Sequence, residues 1–172
     1  MSSLERLWAG WRSEYIESVS GKSPPNDDEC IFCNILKSGE PDEVTHIVWR
    51  HPGGLSFAIL NAYPYSSGHL MVMPTRHVGD LELLTGDESR AVWDGLSQAV
   101  VALKAAYGPD GLNVGANLGR SAGAGVPGHF HIHALPRWYG DTNFMTSVAD
   151  SRVLPEALSV TADKVRSAWP RP

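Results

Sequence analysis

The sequence of 172 residues has few basic side chains and few cysteines, and it has no long apolar run. Lysine and arginine together number 14 against 19 acidic residues, which gives a formal net charge of −5 at pH 7. This balance argues against a broad nucleic-acid-binding surface, because such surfaces depend on clustered positive charge. Nowhere do about eighteen apolar residues follow one another, so we expect no membrane-spanning helix and no membrane partner.

The two cysteines, Cys30 and Cys33, are separated by two residues. The first residues have no basic region followed by an apolar stretch, so we expect no secretory signal and a cytoplasmic location, where a structural disulfide is disfavoured. The preceding segment, residues 23–29, is rich in proline and acidic residues and is predicted to be a loop. Two thiolates leaving a loop at this spacing suit half of a zinc site. Two small buried hydrophobic residues would show the same spacing, which leaves both interpretations open.

The hydrophobic pattern predicts an α+β fold. Hydrophobic residues make up 42% of the chain, as in ordinary globular proteins. A long helix is predicted to begin at Thr85, which has capping-box spacing to Glu88, and to end at Gly108. Short strand-like runs separated by turn residues are predicted at 47–49, 55–60, 69–73, 112–118 and 129–135. Strands, then a helix, then strands indicate an antiparallel sheet with the long helix packed on it.

Further helices are predicted at both ends of the chain. Residues 4–19 have the apolar periodicity of an amphipathic helix, so residues 1–29 are interpreted as an N-terminal helix and linker. Residues 30–145 are predicted to form the central domain. Residues 146–172 are predicted to be a C-terminal extension, with a helix that begins near Pro155.

Three of the seven histidines alternate with apolar residues near the end of the predicted sheet. Because strand side chains alternate between faces, His129, His131 and His133 share one face while Phe130 and Ile132 turn toward the core. Three structural histidines would each need buried hydrogen-bond partners, which makes a functional site the better interpretation. Two chemistries fit this row: a metal site, or a histidine nucleophile that attacks phosphorus.

The loop before the histidine row, residues 119–128, favours phosphate chemistry. Its glycines allow backbone N–H groups to approach an anion closely, and Asn117 adds an amide just before it. With only four lysines in the chain, a phosphate site must depend on such groups, on histidine or on arginine. A hydrolytic metal site would need carboxylates, and the sequence has none between Asp110 and Asp141.

These residues resemble the signature of the histidine triad (HIT) superfamily, His-x-His-x-His followed by two apolar residues, here over 129–135. The resemblance covers roughly residues 30–145. It implies a HIT-like fold, a nucleotide substrate, a homodimer and no organic cofactor. Residues 136–144 are similar to a bacterial group within the superfamily that includes diadenosine tetraphosphate phosphorylases.

The resemblance also implies a role for each candidate residue. His131 would attack the α-phosphorus of a dinucleoside polyphosphate and form a nucleotidyl-histidine, which water or phosphate then resolves. Asn61 would contact the ribose, and His133 the phosphate or the neighbouring ribose oxygens. The remaining substrate-binding positions that it implies are Asn117, Ser121, Gly123, Ala124, Gly125 and Val126. The interval from Asn117 to His129 is one residue longer than in the commonest HIT enzymes, so their specificity does not transfer.

Some superfamily members hold a zinc ion with two cysteines and two histidines. The corresponding residues here are Cys30, Cys33, His77 and His129. Four protein ligands make a closed tetrahedral site, so the resemblance implies a structural zinc. For His69 two interpretations stay open, a hydrogen-bonded core residue and a residue of the active site.

Several functional alternatives also stay open at this stage. The chain could be a nucleoside phosphoramidate hydrolase, a nucleotide-binding sensor without turnover, or a zinc hydrolase with its metal on the row from His129 to His133. For a dinucleoside polyphosphate enzyme we expect phosphate rather than water as acceptor. The resemblance of residues 136–144 suggests it, and Arg120 and Arg137 would supply positive charge beside the histidine row unless they are solvated surface residues.

Overall fold

The computed structural model of the protein describes residues 30–141 and 156–171. The predicted helix over residues 4–19 and the predicted helix start at Pro155 lie outside them. In chain order the helices and strands are α1 (Ile31–Lys37), α2 (Asp42–Thr45), β1 (Ile47–Arg50), β2 (Ser56–Leu60), β3 (Leu70–Pro74), α3 (Gly86–Tyr107), β4 (Gly111–Gly115), β5 (Ile132–Arg137) and α4 (Leu158–Ala168). None of the described helices is both long enough and apolar enough to cross a bilayer.

The five strands form one antiparallel sheet in the order β1-β2-β3-β5-β4, which confirms the predicted α+β class. Strands β2 and β3 are buried along their whole length, because both faces of the sheet are covered there. Strand β4 forms one edge and is largely exposed. It ends at Gly115, three residues short of the predicted end.

Helix α3 packs on one face of the sheet and begins as predicted. The Thr85 hydroxyl accepts a hydrogen bond from the Glu88 N–H, and the Glu88 carboxylate accepts one from the Thr85 N–H, so the capping box is complete. Gly108 ends the helix in a left-handed conformation with φ of 53°. Helix α4 packs beside α3, and Trp169 just after it stacks on Trp49 with the ring centroids 5.5 Å apart.

Helix α1 lies over the other face and was not predicted. Its N-cap is Cys30, so Cys30 and Cys33 lie one turn apart at the start of a helix, and the predicted loop over residues 23–29 lies outside the described residues. Phe32 of the same turn is buried. The buried residues on this side of the sheet form a second core cluster: Cys30, Phe32, Cys33, Ile47, Phe57, Ile59, Met71 and Met73.

Strand β5 begins later than predicted, at Ile132 rather than at His129. The adjacent strand β3 ends at Pro74, which has no N–H to donate. The Phe130 N–H instead donates to the Val78 carbonyl at 2.6 Å. The predicted alternation still holds, because Phe130 and Ile132 enter the core under α3.

The start of α3 carries a prediction about stability. Arg76 forms a bidentate ion pair with the buried Glu88 carboxylate, with both N–O distances 2.8 Å. We expect Glu88→Gln to lower the free energy of unfolding at pH 7 by about 1–3 kcal/mol, since charge-assisted hydrogen bonds are lost. Asp87→Asn is the matched control, because Asp87 lies in the same turn but is exposed, and its loss should cost little.

The effect of Glu88→Gln should depend on pH. The Arg76 guanidinium, helped by Thr85, lowers the pKa of Glu88 from 4.5 to about 2. A lowered folded-state pKa means that the contribution is complete above pH 4.5 and disappears as the pH falls toward 2. In urea unfolding, wild type and Glu88→Gln should therefore differ in the free energy of unfolding at pH 7 and have nearly equal values near pH 2. If the two free energies differed by the same amount at both pH values, the ionised Glu88 carboxylate would not be the source of the stability.

Candidate functional site

The three histidines of the row lie on the face of the sheet that α1 partly covers. His129 and His131 are buried, and His133 at the start of β5 is half-buried. The ring centroids of His131 and His133 are 5.0 Å apart. Phe32 contacts both His129 and His131, with centroid distances of 5.5 and 5.6 Å. Helix α1 therefore closes one end of the row.

Hydrogen bonding orients the ring of His131. Its Nδ1–H donates to the backbone carbonyl of His129 at 2.7 Å, so the neutral ring presents its lone pair on Nε2. Burial lowers the pKa of His131, which favours this neutral form near pH 7. A neutral imidazole in a fixed tautomer can act as a nucleophile.

His69 is buried and hydrogen-bonded, and it extends the row by one ring. The Tyr65 N–H donates to His69 Nδ1 at 3.1 Å, so the His69 proton is on Nε2, which lies 2.9 Å from His133 Nδ1. Neutral His133 accordingly carries its own proton on Nε2. Burial, and then the proximity of His131, lower the pKa of His133 to about 4.

Sequence reasoning left His69 without a role, although it follows Asn61 by eight residues. The Asn61 Nδ2 atom lies 3.4 Å from His69 Nε2, and Asn61 Oδ1 accepts a hydrogen bond from the Tyr63 N–H at 2.9 Å. Asn61 therefore lies next to the histidine row. Its spacing to His69 was the signal that linked the two residues.

The predicted ligand set for a metal is assembled. One ligand atom from each of Cys30, Cys33, His77 and His129 lies within 4.8 Å of the others. His129 Nε2 donates to the Pro74 carbonyl at 2.8 Å, which leaves its Nδ1 lone pair facing the two cysteine sulfurs at 3.5 and 3.6 Å. Buried thiols with two imidazoles suit a metal ion, because thiolate and imidazole are its soft and borderline ligands.

This arrangement disfavours a metal on the histidine row itself. The cysteine cluster is the only such group of ligand atoms in the described part of the chain. His129 faces the cysteines, and the Nδ1 atoms of His131 and His133 are occupied by the His129 carbonyl and by His69.

The glycine-rich loop folds against the row. Gly119 and Gly123 have φ of 77° and 93°, values that other residues adopt only with strain. The Asn117 amide donates to the Gly123 carbonyl at 3.3 Å, which links the end of the β4 segment to the loop. The His129 N–H donates to the Val126 carbonyl at 3.2 Å. Of the predicted loop positions, Ser121 and Gly125 are exposed, Gly123 and Val126 are half-buried, and Ala124 is buried.

Arg137 does not provide the uncompensated charge that the sequence suggested. Its guanidinium pairs with the Asp141 carboxylate at 2.5 and 2.7 Å and donates to the Asn113 amide oxygen at 2.8 Å. The ion pair neutralises most of its charge. Arg120, in a short 3₁₀ turn of the loop, is half-buried.

An antiparallel five-stranded sheet with a histidine row beside a glycine loop defines the class of protein. The family model described as HIT domain matches residues 45–139, and the chain belongs to the HIT family. A relative named AP-4-A phosphorylase, from Mycobacterium tuberculosis, is 40% identical over 171 residues, which are 98% of this chain and 86% of the relative. An adenosine 5'-monophosphoramidase from Schizosaccharomyces pombe is 30% identical over 80% of this chain and 96% of its own length.

Solved structures agree with the fold. A hypothetical histidine triad nucleotide-binding protein from Sulfolobus tokodaii aligns with a TM-score of 0.65 at 28% identity. The alignment covers 81% of this chain and 91% of that protein. The family and its named relatives support an enzyme that acts on nucleotide substrates.

Proposed function

We propose that this protein cleaves dinucleoside polyphosphates at the α-phosphate through a covalent intermediate on His131. The observation that carries the proposal is the hydrogen bond from His131 Nδ1–H to the His129 carbonyl, which leaves the lone pair of the neutral ring on Nε2. The Nε2 lone pair attacks the α-phosphorus, and the bond to the bridging oxygen breaks with its electrons leaving on the departing nucleoside polyphosphate. An acceptor oxygen then attacks the same phosphorus and displaces Nε2.

The neighbouring residues bind and orient the substrate in this proposal. The His133 Nε2–H donates to a phosphate oxygen, and the His69 Nε2–H holds the His133 ring in the required tautomer. Asn61 contacts the ribose. The loop stabilises charge on the phosphate oxygens through N–H groups and side chains, a contribution of about 3 kcal/mol per well-placed donor. Its binding positions are Asn117, Ser121, Gly123, Ala124, Gly125 and Val126.

The test is direct. Rapid quenching of a reaction with diadenosine tetraphosphate labelled in its α-phosphates should trap an acid-labile nucleotidyl-protein. Wild type that turns over without any trapped label would contradict the covalent mechanism. Wild type that binds the nucleotide and never turns it over would make the protein a sensor module.

We further propose that Cys30, Cys33, His77 and His129 hold a zinc ion and that its role is structural. All four ligands come from the protein, so the closed site has no position for substrate. When bound, the ion ties helix α1 to the segment that carries the histidine row.

Phosphate is the proposed acceptor, which makes the enzyme a phosphorylase. The name of the M. tuberculosis relative supports it, whereas the paired Arg137 does not. Titrating phosphate into diadenosine tetraphosphate cleavage should give saturable activation, with ADP and ATP as products. Full activity in phosphate-free buffer, with AMP and ATP as products, would show that water is the acceptor.

Phosphoramidate hydrolysis is the second candidate, supported by the S. pombe relative. It uses the same attack on the α-phosphorus and differs in the leaving group and in having water as the acceptor. Comparing kcat/KM for adenosine 5'-phosphoramidate and diadenosine tetraphosphate separates the two, and we expect the dinucleotide to be preferred.

We also propose that the protein is a cytoplasmic homodimer that uses the exposed edge strand β4. Val114 on this strand is 45% exposed, and β4 has a neighbour on one side only among the described strands, so its other side can pair with a second copy. Sedimentation equilibrium of the full chain would show a single dimeric species if this is right and a monomer if it is wrong.

A further inference from the structure

The pairing of β4 with β5 places a glycine next to the histidine row. In this antiparallel pair Gly115 is the Cα partner of His133, and Val114 is the partner of Ala134. Directly paired residues point to the same face of a sheet, with their Cβ positions about 5 Å apart. Ala134 enters the core under α3, so position 115 belongs to the opposite face, which carries the histidine row. A side chain at this position would lie beside the ring of His133.

The space at Gly115 is open. Gly115 is exposed, and a Cβ built on its backbone would have no atom of the described residues within 4 Å. Gly115 does not have a positive φ, so its backbone conformation does not require glycine. Glycine weakens a strand, and where the backbone does not require it, it often marks a place that a ligand approaches closely. Position 115 therefore could hold a larger residue in the free protein, and the glycine keeps space beside His133 unfilled.

The order of the groups across the sheet gives the substrate a direction. Asn61 lies next to His69 at the β2–β3 loop, and His69 Nε2 lies 2.9 Å from His133 Nδ1. Strand β4 lies on the far side of β5 from β3. In the proposed function the ribose of the attacked nucleotide contacts Asn61 and its α-phosphate meets His131. The attacked nucleotide therefore approaches the row from the β3 side.

The departing part of the substrate must leave the row on another side. Phe32 of helix α1 closes the end at His129, with its ring against those of His129 and His131. The ribose occupies the side of the β2–β3 loop. The β4 side is open where Gly115 has no side chain, and Asn117, a proposed phosphate contact, follows two residues later. A nucleoside polyphosphate that leaves the α-phosphorus accordingly has room over the exposed strand β4.

We propose that Gly115 is a specificity-determining residue, which leaves space over β4 for the departing nucleoside polyphosphate and so allows large leaving groups. This inference rests on the proposed function and names the leaving-group side of the same site. A side chain at position 115 would fill this space. Its Cβ would contact none of the described residues, so the groups that hold the attacked nucleotide stay in place.

The experiment compares diadenosine tetraphosphate with adenosine 5'-phosphoramidate, which brings the same nucleotide to His131 but has ammonia as its leaving group. We expect Gly115→Val to lower kcat/KM for the dinucleotide about tenfold or more, because its methyl groups occupy space that the leaving group needs. The same variant should change kcat/KM for the phosphoramidate less than about twofold. Gly115→Ala should show a smaller loss in the same direction.

Gly111→Val is the matched control. Gly111 lies on the same strand and the same face, is paired with Arg137 at a distance of four residues from Gly115, and has no described atom within 4 Å of its Cβ position. This variant should keep the wild-type ratio of the two kcat/KM values. Melting temperatures verify that all variants are folded, and sedimentation equilibrium verifies that a side chain on β4 leaves the oligomeric state unchanged.

The outcomes are distinct. An equal loss with both substrates would show that the new side chain disturbs the histidine row, and unchanged kinetics with both would show that the leaving group does not pass over β4. Either result overturns the inference, and so does weaker AMP binding by Gly115→Val, because AMP has no departing group. Wild type that does not cleave diadenosine tetraphosphate refutes the proposed function itself. The inference is then decided by binding, and a non-cleavable dinucleotide analogue that binds wild type and Gly115→Val equally well overturns it.

Discussion

His131→Ala should lose at least about a thousandfold in kcat and bind nucleotide with nearly unchanged affinity. The variant lacks the only imidazole of the row whose Nδ1–H donates to a backbone carbonyl, and with it the covalent route. The proposed contacts to ribose and phosphate remain, so the substrate still binds. Single-turnover kinetics and equilibrium binding of a non-cleavable analogue measure the two quantities separately.

The matched control is His51→Ala, because His51 lies after β1 and contacts Trp49 instead of the histidine row. It should keep wild-type kcat. If His131→Ala retained more than about a tenth of wild-type turnover, His131 would not be the nucleophile. A variant that lost binding and turnover together would indicate a role in substrate affinity.

Cys30→Ser should lower bound zinc and thermal stability together. The sulfur of Cys30 lies 3.5 Å from His129 Nδ1, so its loss opens a four-ligand site that joins α1 to the segment before β5. Loss of a structural metal site costs at least about 3 kcal/mol, or roughly 6–12 °C in Tm for a chain of this size. Turnover per folded molecule should change little, because no step of the proposed mechanism passes through the ion.

Chelation provides the control for the zinc prediction. A strong chelator should lower the Tm of wild type and leave the Tm of Cys30→Ser unchanged, because the variant has already lost the site. Metal analysis of wild type purified without chelators should find about one zinc per chain. If wild type contained no zinc and had the same Tm as Cys30→Ser, the two cysteines would be ordinary core residues.

Local rules made several features predictable. The capping box of Thr85 and Glu88 depends on residues three apart, and the structure forms both of its hydrogen bonds. The side chains of residues 129–133 alternate between two faces because extended backbone has a two-residue period. The predicted alternation is therefore correct, although β5 begins only at Ile132. Helix α1 was missed because it has only seven residues and its apolar side chains follow a loop-like segment.

The sequence by itself, with the family resemblance, determined the α+β class, the shared face of the three histidines and the four residues that could hold a metal ion. Only the tertiary structure decided how these groups are oriented and paired. The sulfur of Cys30 meets His129 across 99 residues, His69 donates to His133 across 64, and Arg137 donates to the Asn113 amide oxygen across 24. Sequence periodicity and residue spacing predict the local structure of residues that are close along the chain. Tautomers, ion pairs and metal geometry depend on which distant groups the packed sheet and helices bring within hydrogen-bond distance.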